Sequence, residues 1–283
     1  MAGIKHILAA TDLSERSERA FKRAARLRRE RGATLDLLHV VEHGLVAQVR
    51  ERRQALAEEY LRDWLARQPE EDRAGARFSV EGGEPFAVII EHARERGADL
   101  IVVGEPGKQG LKEFFAGTTT ERVVRHSDRP VLVVKRAGGD AYRRVLVAVD
   151  FSKGATRALD AAYAVAPGAE FLIVHAWQVP PIGFGTRDSA EKAMVKENEL
   201  LRKRIERQAQ DNLVELAMPA SPPRVEMTAG NPFFVLRDAI VSYQPDLVAM
   251  GTHARSGLAI AMIGSLAREF LVEAPCDVLV ARA

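Results

Sequence analysis

The chain has 283 residues, of which 47% are hydrophobic and 28% charged, and its formal net charge is +2. This length suits two domains of ordinary size better than one. The near balance of 41 basic and 39 acidic side chains gives no electrostatic reason to expect nucleic acid or a membrane as the main partner. Because Cys276 is the single cysteine, an intrachain disulfide framework and a cysteine-rich zinc site are both excluded.

The sequence carries no signal for export or membrane insertion. No apolar run approaches the roughly 20 residues that a membrane-spanning helix requires. The residues before the first strand lack the apolar core of a signal peptide. Together with the single cysteine, these features predict a protein of the reducing cytoplasm.

The first strand introduces a repeat. Residues 4–14 and 143–152 each form a short apolar run that ends in aspartate, with a serine two positions later. Asp12 and Asp150, the two aspartates, are 138 residues apart. A second apolar strand follows in each half, at 35–40 and at 171–176.

Later landmarks recur in the same order, now 147 residues apart. They are a Gly-x-Pro turn at 83–85 and 230–232, an apolar strand at 98–104 and 245–251, and a closing strand at 131–134 and 278–280. The change of offset places an insertion in the second half, between its second strand and Gly230. The repeat predicts two similar domains, 1–137 and 143–283, joined by a short polar linker.

Each half alternates strands with helices. The strands are continuous β-branched runs, which are typical of strands covered on both faces, and the segments between them have helical periodicity. This pattern predicts a doubly wound α/β domain with a five-stranded, mainly parallel sheet. Two long charged helices, near 47–67 and 189–216, are expected to be partly exposed.

A glycine-rich segment follows the fourth strand of each half, at 104–121 and at 251–266. Glycines allow backbone N–H groups to approach an anion closely, and a helix that starts at a hydroxyl residue attracts negative charge at its N-terminus. The same segment has another interpretation, because Thr118 and Glu121 have the spacing of a capping box and the glycines suit turns. Local chemistry alone leaves both interpretations open.

The spacing of these glycines resembles the signature of the universal stress protein family, Gly-x2-Gly-x9-Gly-(Ser/Thr). The first half has it intact as Gly104, Gly107, Gly117 and Thr118. The second half has Gly251, Ala254, Gly264 and Ser265, so that its second glycine is replaced. The resemblance covers nearly the whole chain and implies a tandem member with the HUP (adenine nucleotide α-hydrolase-like) fold. It also implies that the closing strands 131–134 and 278–280 pair as an internal pseudo-dimer.

The resemblance implies a binding site for ATP, with or without Mg²⁺. In the first half the implied residues are Ala10, Thr11, Asp12, Val40, Gly104, Gly107, Lys108, Gly117, Thr118 and Thr119. In the second half they are Val149, Asp150, Ala176, Gly251, Arg255, Gly264, Ser265 and Leu266. For Asp12 and Asp150 the alternative is a turn or a helix cap. Three residues depart from what an anion site prefers. Ala254 adds a methyl group, Pro106 removes an N–H donor, and Glu105 brings a negative charge to its loop. Lys108 could offset the charge of Glu105.

Two functions follow as hypotheses. One is an ATP-binding stress-response protein that acts through conformation or through unidentified protein partners, and the other is a tandem stress protein without nucleotide that serves as an interaction module. No Walker A motif or nucleophile elbow is present, and no catalytic or metal-binding residues are assigned. We therefore expect at most slow ATP hydrolysis. His39 and His175 are expected to be structural, and assembly into a further homodimer stays open.

Overall fold

The computed structural model describes residues 3–42, 47–106, 117–137, 140–177, 187–215, 222–252 and 263–283. The elements of the first half are β1 (His6–Thr11), α1 (Glu15–Arg31), β2 (Thr34–Glu42), α2 (Ala47–Ala66), α3 (Glu70–Arg73), β3 (Ala76–Gly83), α4 (Pro85–Glu95), β4 (Leu100–Gly104), α5 (Thr119–His126) and β5 (Val131–Val134). Those of the second half are β6 (Arg144–Ala148), α6 (Lys153–Val165), β7 (Glu170–Trp177), α7 (Arg187–Glu215), β8 (Arg224–Ala229), α8 (Pro232–Tyr243), β9 (Leu247–Gly251), α9 (Ser265–Glu273) and β10 (Asp277–Ala281).

The ten strands of the described residues belong to one sheet, in the order β3-β2-β1-β4-β5-β10-β9-β6-β7-β8. Neighbouring strands run parallel within each half, and β5 and β10 pair antiparallel between the halves, with Leu132 opposite Leu279. This confirms the expected doubly wound fold and the pairing of the closing strands. The pairing covers the edge that each half would otherwise expose to other chains.

The sheet is buried on both faces, which explains its uninterrupted apolar strands. Along β1, Ile7 and Ala9 belong to one hydrophobic cluster, and Leu8 and Ala10 belong to the other. Helices α1, α2, α6 and α7 contribute to the first cluster, and α4, α5, α8 and α9 to the second. Each half is therefore a three-layer domain, and the two cores run continuously through the shared sheet.

The insertion of the second half coincides with its long helix. Helix α7 has 29 residues, whereas α2, which occupies the same place in the first half, has 20. In α2 only Ala57 and Leu61 are buried, so most of this helix faces solvent as its charged sequence predicts. The extra length of α7 leaves the five parallel strands of the second half intact.

Candidate functional site

A cavity of about 710 Å³ opens in the first half, at the carboxyl ends of β1, β2 and β4. In a parallel sheet this is the edge at which ligands bind, next to the point where the strand order reverses. Its volume lies in the range of small-molecule sites. Of the residues expected at the site, it is lined by Ala10, Thr11, Asp12, Val40, Gly104, Thr118 and Thr119.

The first turns of three helices contribute to the lining of this cavity. Arg16 and Ser17 come from the start of α1, Pro85 from the start of α4, and Thr119 and Thr120 from the start of α5. Unpaired N–H groups give a helix N-terminus a partial positive charge. Their convergence makes this part of the cavity suitable for an anionic group.

Asp12 lies in the cavity wall and also forms a turn. Its Oδ1 accepts a hydrogen bond of 3.0 Å from the backbone N–H of Ser14, and in the second half Oδ1 of Asp150 accepts from Ser152 N at 3.0 Å. Partial burial of Asp12 opposes ionisation, but hydrogen bonds from Ser14 and Ser17 outweigh it and hold the pKa of this carboxyl below its ordinary value. The turn interpretation therefore applies to both aspartates, and Asp12 remains an ionised acceptor beside the cavity.

The two strand-end histidines make equivalent contacts. Nδ1 of His39 donates to the carbonyl oxygen of Thr11 at 2.9 Å, and Nδ1 of His175 donates to that of Val149 at 2.7 Å. Each bond ties the end of the second strand to the end of the first. This contact supports a structural role for both side chains.

Gly104 and Gly251 have a packing role that the sequence did not reveal. A Cβ atom at Gly104 would lie 2.9 Å from the carbonyl carbon and oxygen of Arg16, and one at Gly251 would lie 2.7 Å from the backbone nitrogen of Ala155. The first turn of α1 or α6 therefore presses directly on the end of β4 or β9. Any side chain at either glycine would push helix and strand apart.

The glycine segment is described only at its two ends. Gly107, Lys108, Ala254 and Arg255 lie outside the described residues. Gly117 has a φ of 86°, a left-handed conformation that favours glycine, and it lies just outside the residues that line the cavity.

A capping box closes the start of α5, as the alternative interpretation predicts. Thr118 Oγ1 accepts a hydrogen bond of 3.2 Å from Glu121 N, and Gly117 N donates to Glu121 Oε2 at 2.8 Å. The Glu121 carboxylate is buried and occupies one N–H of the loop. The N-terminus of α5 is therefore partly neutralised by its own side chain.

Arginines surround the cavity at positions that sequence reasoning missed. Arg19 Nη1 lies 3.7 Å from Glu105 Oε1, so Arg19 offsets the negative charge of Glu105, the role that the sequence suggests for Lys108. Arg16 and Arg53 line the cavity. Position 16 could have been noticed, since it lies two residues after the Asp-x-Ser turn. Arg53 lies in a charged helix whose sequence gives no sign of a site.

In the second half the expected residues occupy equivalent places. Asp150 follows β6, Ala176 lies near the end of β7, and Gly251 ends β9. Helix α9 starts with Ser265 and Leu266, and its capping residue is Gly264, which provides no side-chain cap. Val149, just after β6, is buried. Arg268 stands where the first half has Glu121, so the second half lacks the capping carboxylate.

Two further features are absent from the described residues. Among the parts of the chain given above, no group of three or more His, Cys, Asp or Glu side chains is arranged to hold a metal ion. No described helix is both long and apolar enough to cross a membrane.

Comparison with known proteins gives consistent results for both halves. The model of the universal stress protein family matches residues 3–135 and again 141–282. The universal stress protein YxiE of Bacillus subtilis is 32% identical over 144 residues, which are 46% of this chain and 97% of that protein. A universal stress protein of Methanocaldococcus jannaschii is 31% identical over 154 residues, 47% of this chain and 95% of that protein.

A solved structure matches the whole chain. The crystal structure of a universal stress protein from Archaeoglobus fulgidus has a TM-score of 0.68 and 22% identity, and the match covers 98% of both chains. At this identity the likeness establishes the fold. Because the family model matches both halves, nearly from end to end, the chain belongs to the universal stress protein family as a tandem member with two family domains.

Proposed function

We propose that the first half of this chain binds ATP, and that the protein acts in the stress response through nucleotide-dependent conformation or partner binding. The observation that carries this proposal is the 710 Å³ cavity, which combines apolar walls with three helix N-termini. Apolar side chains such as Leu38, Ile89 and Val103 suit a base, and the helix starts suit phosphates. The apolar walls and the helix starts therefore belong to one cavity, whose volume suits a small-molecule ligand.

The parts of the nucleotide are assigned by chemistry. The adenine lies against β2, beside the backbone of Val40. Asp12, ionised at neutral pH, accepts hydrogen bonds from the ribose hydroxyls. The phosphates lie at the start of α5, near Thr118 and Thr119, within reach of Arg16. Gly107 and Lys108 belong to the same proposed site, and Mg²⁺ would accompany the phosphates.

A second, less complete site is proposed in the other half. It comprises Val149, Asp150, Ala176, Gly251, Arg255, Gly264, Ser265 and Leu266. The first turn of α9 has no capping carboxylate, so less negative charge opposes a bound anion there. Ala254, however, replaces a signature glycine.

One observation favours the alternative of an interaction module without nucleotide. The buried Glu121 carboxylate already accepts Gly117 N–H, so a negative charge sits where phosphate would approach. Under this alternative the helix start is a finished structural cap and the cavity serves another purpose. The two proposals differ in a simple prediction about bound nucleotide.

The test uses protein purified without added nucleotide, which is denatured so that released nucleotide can be identified and counted. Two matched variants place a carboxylate at equivalent helix starts: Thr119→Glu in the first half and Leu266→Glu in the second. An acidic residue in the first turn of a helix is tolerated by the fold but repels phosphate.

If the first half holds the single working site, the wild type should release about one ATP per chain. The bound ATP should be lost in Thr119→Glu and kept in Leu266→Glu. Loss in Leu266→Glu alone would assign the working site to the second half. No released nucleotide, together with no heat of binding when ATP and Mg²⁺ are titrated, would overturn the proposal and leave the interaction module. The proposal includes a cytoplasmic location for the protein and slow or absent hydrolysis of the bound ATP.

A further inference from the structure

One face of α2 forms a wall of the cavity. Arg53, Leu56, Ala57 and Tyr60 all line it, at the spacing of residues that share a helix face. None of these residues belongs to the glycine signature or to the strand ends. They come from the charged helix, so the chemistry of this wall is set independently of the phosphate site.

Two large side chains of this wall are unusually exposed. Leu56 is 57% exposed and Tyr60 is 45% exposed, whereas Ala57 and Leu61 on the same helix are buried. The helix is held in place by its buried side, where Trp64 meets Phe21 edge-on at a centroid distance of 4.8 Å. Leu56 and Tyr60 therefore present apolar surface to the cavity from a fixed position.

The second half has a different residue at the place of Tyr60. Ile205 and Ala209 of α7 are buried with the same spacing as Ala57 and Leu61, so Gln208 corresponds to Tyr60. Gln208 Nε2 donates to Thr156 O at 3.0 Å and to Asp160 Oδ1 at 2.9 Å. These two hydrogen bonds hold the Gln208 side chain against α6, and position 208 has no aromatic ring.

We infer that Tyr60, supported by Leu56, stacks on the base of a nucleotide in the first half and makes this half selective for ligands that carry a planar aromatic ring. The inference rests on the proposed ATP site and adds a specificity-determining residue to it. The base is held between the apolar end of β2 at Val40 and the ring on α2. Inorganic polyphosphate, which has no ring, gains nothing from this wall.

The expected size of the effect follows from stacking. Removal of an aromatic side chain that stacks on a base weakens binding by about tenfold or somewhat more. Replacement of Tyr60 by phenylalanine keeps the ring and removes only the hydroxyl, so it should leave the stacking contribution in place. Because Tyr60 is half exposed, its replacement should not prevent folding.

The experiment compares wild type with Tyr60→Leu and Tyr60→Phe, and uses Val49→Ala as control, since Val49 is an exposed residue of α2 outside the cavity lining. Each protein is titrated with ATP, with inorganic tripolyphosphate, and with etheno-ATP, whose fluorescence is quenched when the base stacks on an aromatic ring. Thermal unfolding of each variant checks the fold.

We expect Tyr60→Leu to bind ATP about tenfold more weakly and to lose the fluorescence quenching, with tripolyphosphate binding unchanged. Tyr60→Phe and Val49→Ala should behave like wild type. If wild type binds ATP and Tyr60→Leu matches it in affinity and quenching, the stacking inference is overturned while the ATP site stands. If wild type binds neither ATP nor etheno-ATP, the proposed function itself fails.

Discussion

The hydroxyl of Tyr142 donates a hydrogen bond of 2.6 Å to Oδ2 of Asp277, and the two residues are almost entirely shielded from solvent. Asp277 starts β10, the strand through which the second half joins the first. Its Oδ1 accepts the backbone N–H groups of Lys135 and Arg136 at 2.9 and 3.0 Å, and Arg23 Nε lies 3.3 Å from Oδ2. One carboxylate thus holds α1 and both ends of the linker to the second half.

We therefore predict that Asp277→Ala strongly destabilises the protein. The change leaves two backbone donors and the Tyr142 hydroxyl unsatisfied, and it removes the acid that pairs with the buried Arg23. Breaking a buried ion pair by removal of one partner costs about 3–5 kcal/mol of unfolding free energy. Urea denaturation followed by circular dichroism measures the change.

Tyr142→Phe is the milder companion variant. It removes one donor and leaves the carboxylate and its other partners in place, so a loss of about 1–3 kcal/mol is expected. A value for Asp277→Ala no larger than that of Tyr142→Phe would show that the carboxylate is not the organising group of this junction.

The neighbouring thiol predicts a pH dependence. Cys276 is buried, and its burial, followed by the charge of Asp277, raises the pKa of the thiol from 9.0 to about 12. Between these values the unfolded chain has lost the proton and the folded chain keeps it. Stability is therefore fully present below pH 9.0 and falls as the pH rises toward 12.

Denaturant unfolding at a series of alkaline pH values tests this, with Cys276→Ala as the comparison. The variant should lose less stability per pH unit than wild type over this range. The native thiol should also resist an aromatic disulfide reagent at neutral pH and react once the protein unfolds. Rapid labelling of the folded protein would contradict the burial of Cys276.

Paired glycines give a third prediction. Gly104→Ala and Gly251→Ala each force a methyl group against helix backbone at less than 3.0 Å, so both should destabilise the protein, by about 1–3 kcal/mol for an overpacked site. Gly168→Ala is the control, because nothing lies within 4 Å of a Cβ there. Thermal unfolding of the three variants should rank the control closest to wild type. Equal melting temperatures would mean that strand and helix separate without cost.

The fold could be predicted from the sequence because its signals are local and repeated. Apolar strands such as 98–104 and 245–251 recur in order, and a parallel doubly wound sheet is what such alternation produces. The pairing of the closing strands 131–134 and 278–280 followed from the family resemblance. The interaction of Asp277 with Tyr142 could not have been foreseen from the repeat. The position of the first half that is equivalent to 277 holds Pro130 in place of an acid.

The lining of the cavity could be anticipated only where backbone motifs define it. Asp12, Val40 and Thr118 lie at strand ends or helix starts, whose positions follow from the pattern. Tyr60 enters the cavity through the tertiary placement of α2, and Arg19 reaches Glu105 across two elements. Such side-chain contacts depend on packing angles that periodicity does not encode. The sequence therefore indicated the strand ends and helix starts that line the cavity, and it missed part of the cavity wall and the charge balance around it.

Arg16 supplies the last prediction, which concerns the phosphates of the proposed nucleotide. Glu15, the sequence neighbour of Arg16, and Glu105 in the cavity wall both pair with Arg19, at 3.2 and 3.7 Å. Within the described parts of the chain no ion pair is found for Arg16, and the second half has Gly154 at its position. We therefore expect the guanidinium to bind a phosphate group of the proposed nucleotide at the start of α5.

We expect Arg16→Gln to weaken ATP binding by about fivefold to tenfold, the size of one partly exposed charge-assisted hydrogen bond. Binding of adenosine, which has no phosphate, should change little, and this difference separates loss of a cation from damage to the fold. Isothermal titration with both ligands measures this difference, with Arg53→Gln as a second variant from the cavity lining. The loss for ATP should shrink at high salt, because screening already weakens the wild-type contact. An equal loss for ATP and adenosine would assign Arg16 to the shape of the cavity and remove it from the phosphate site.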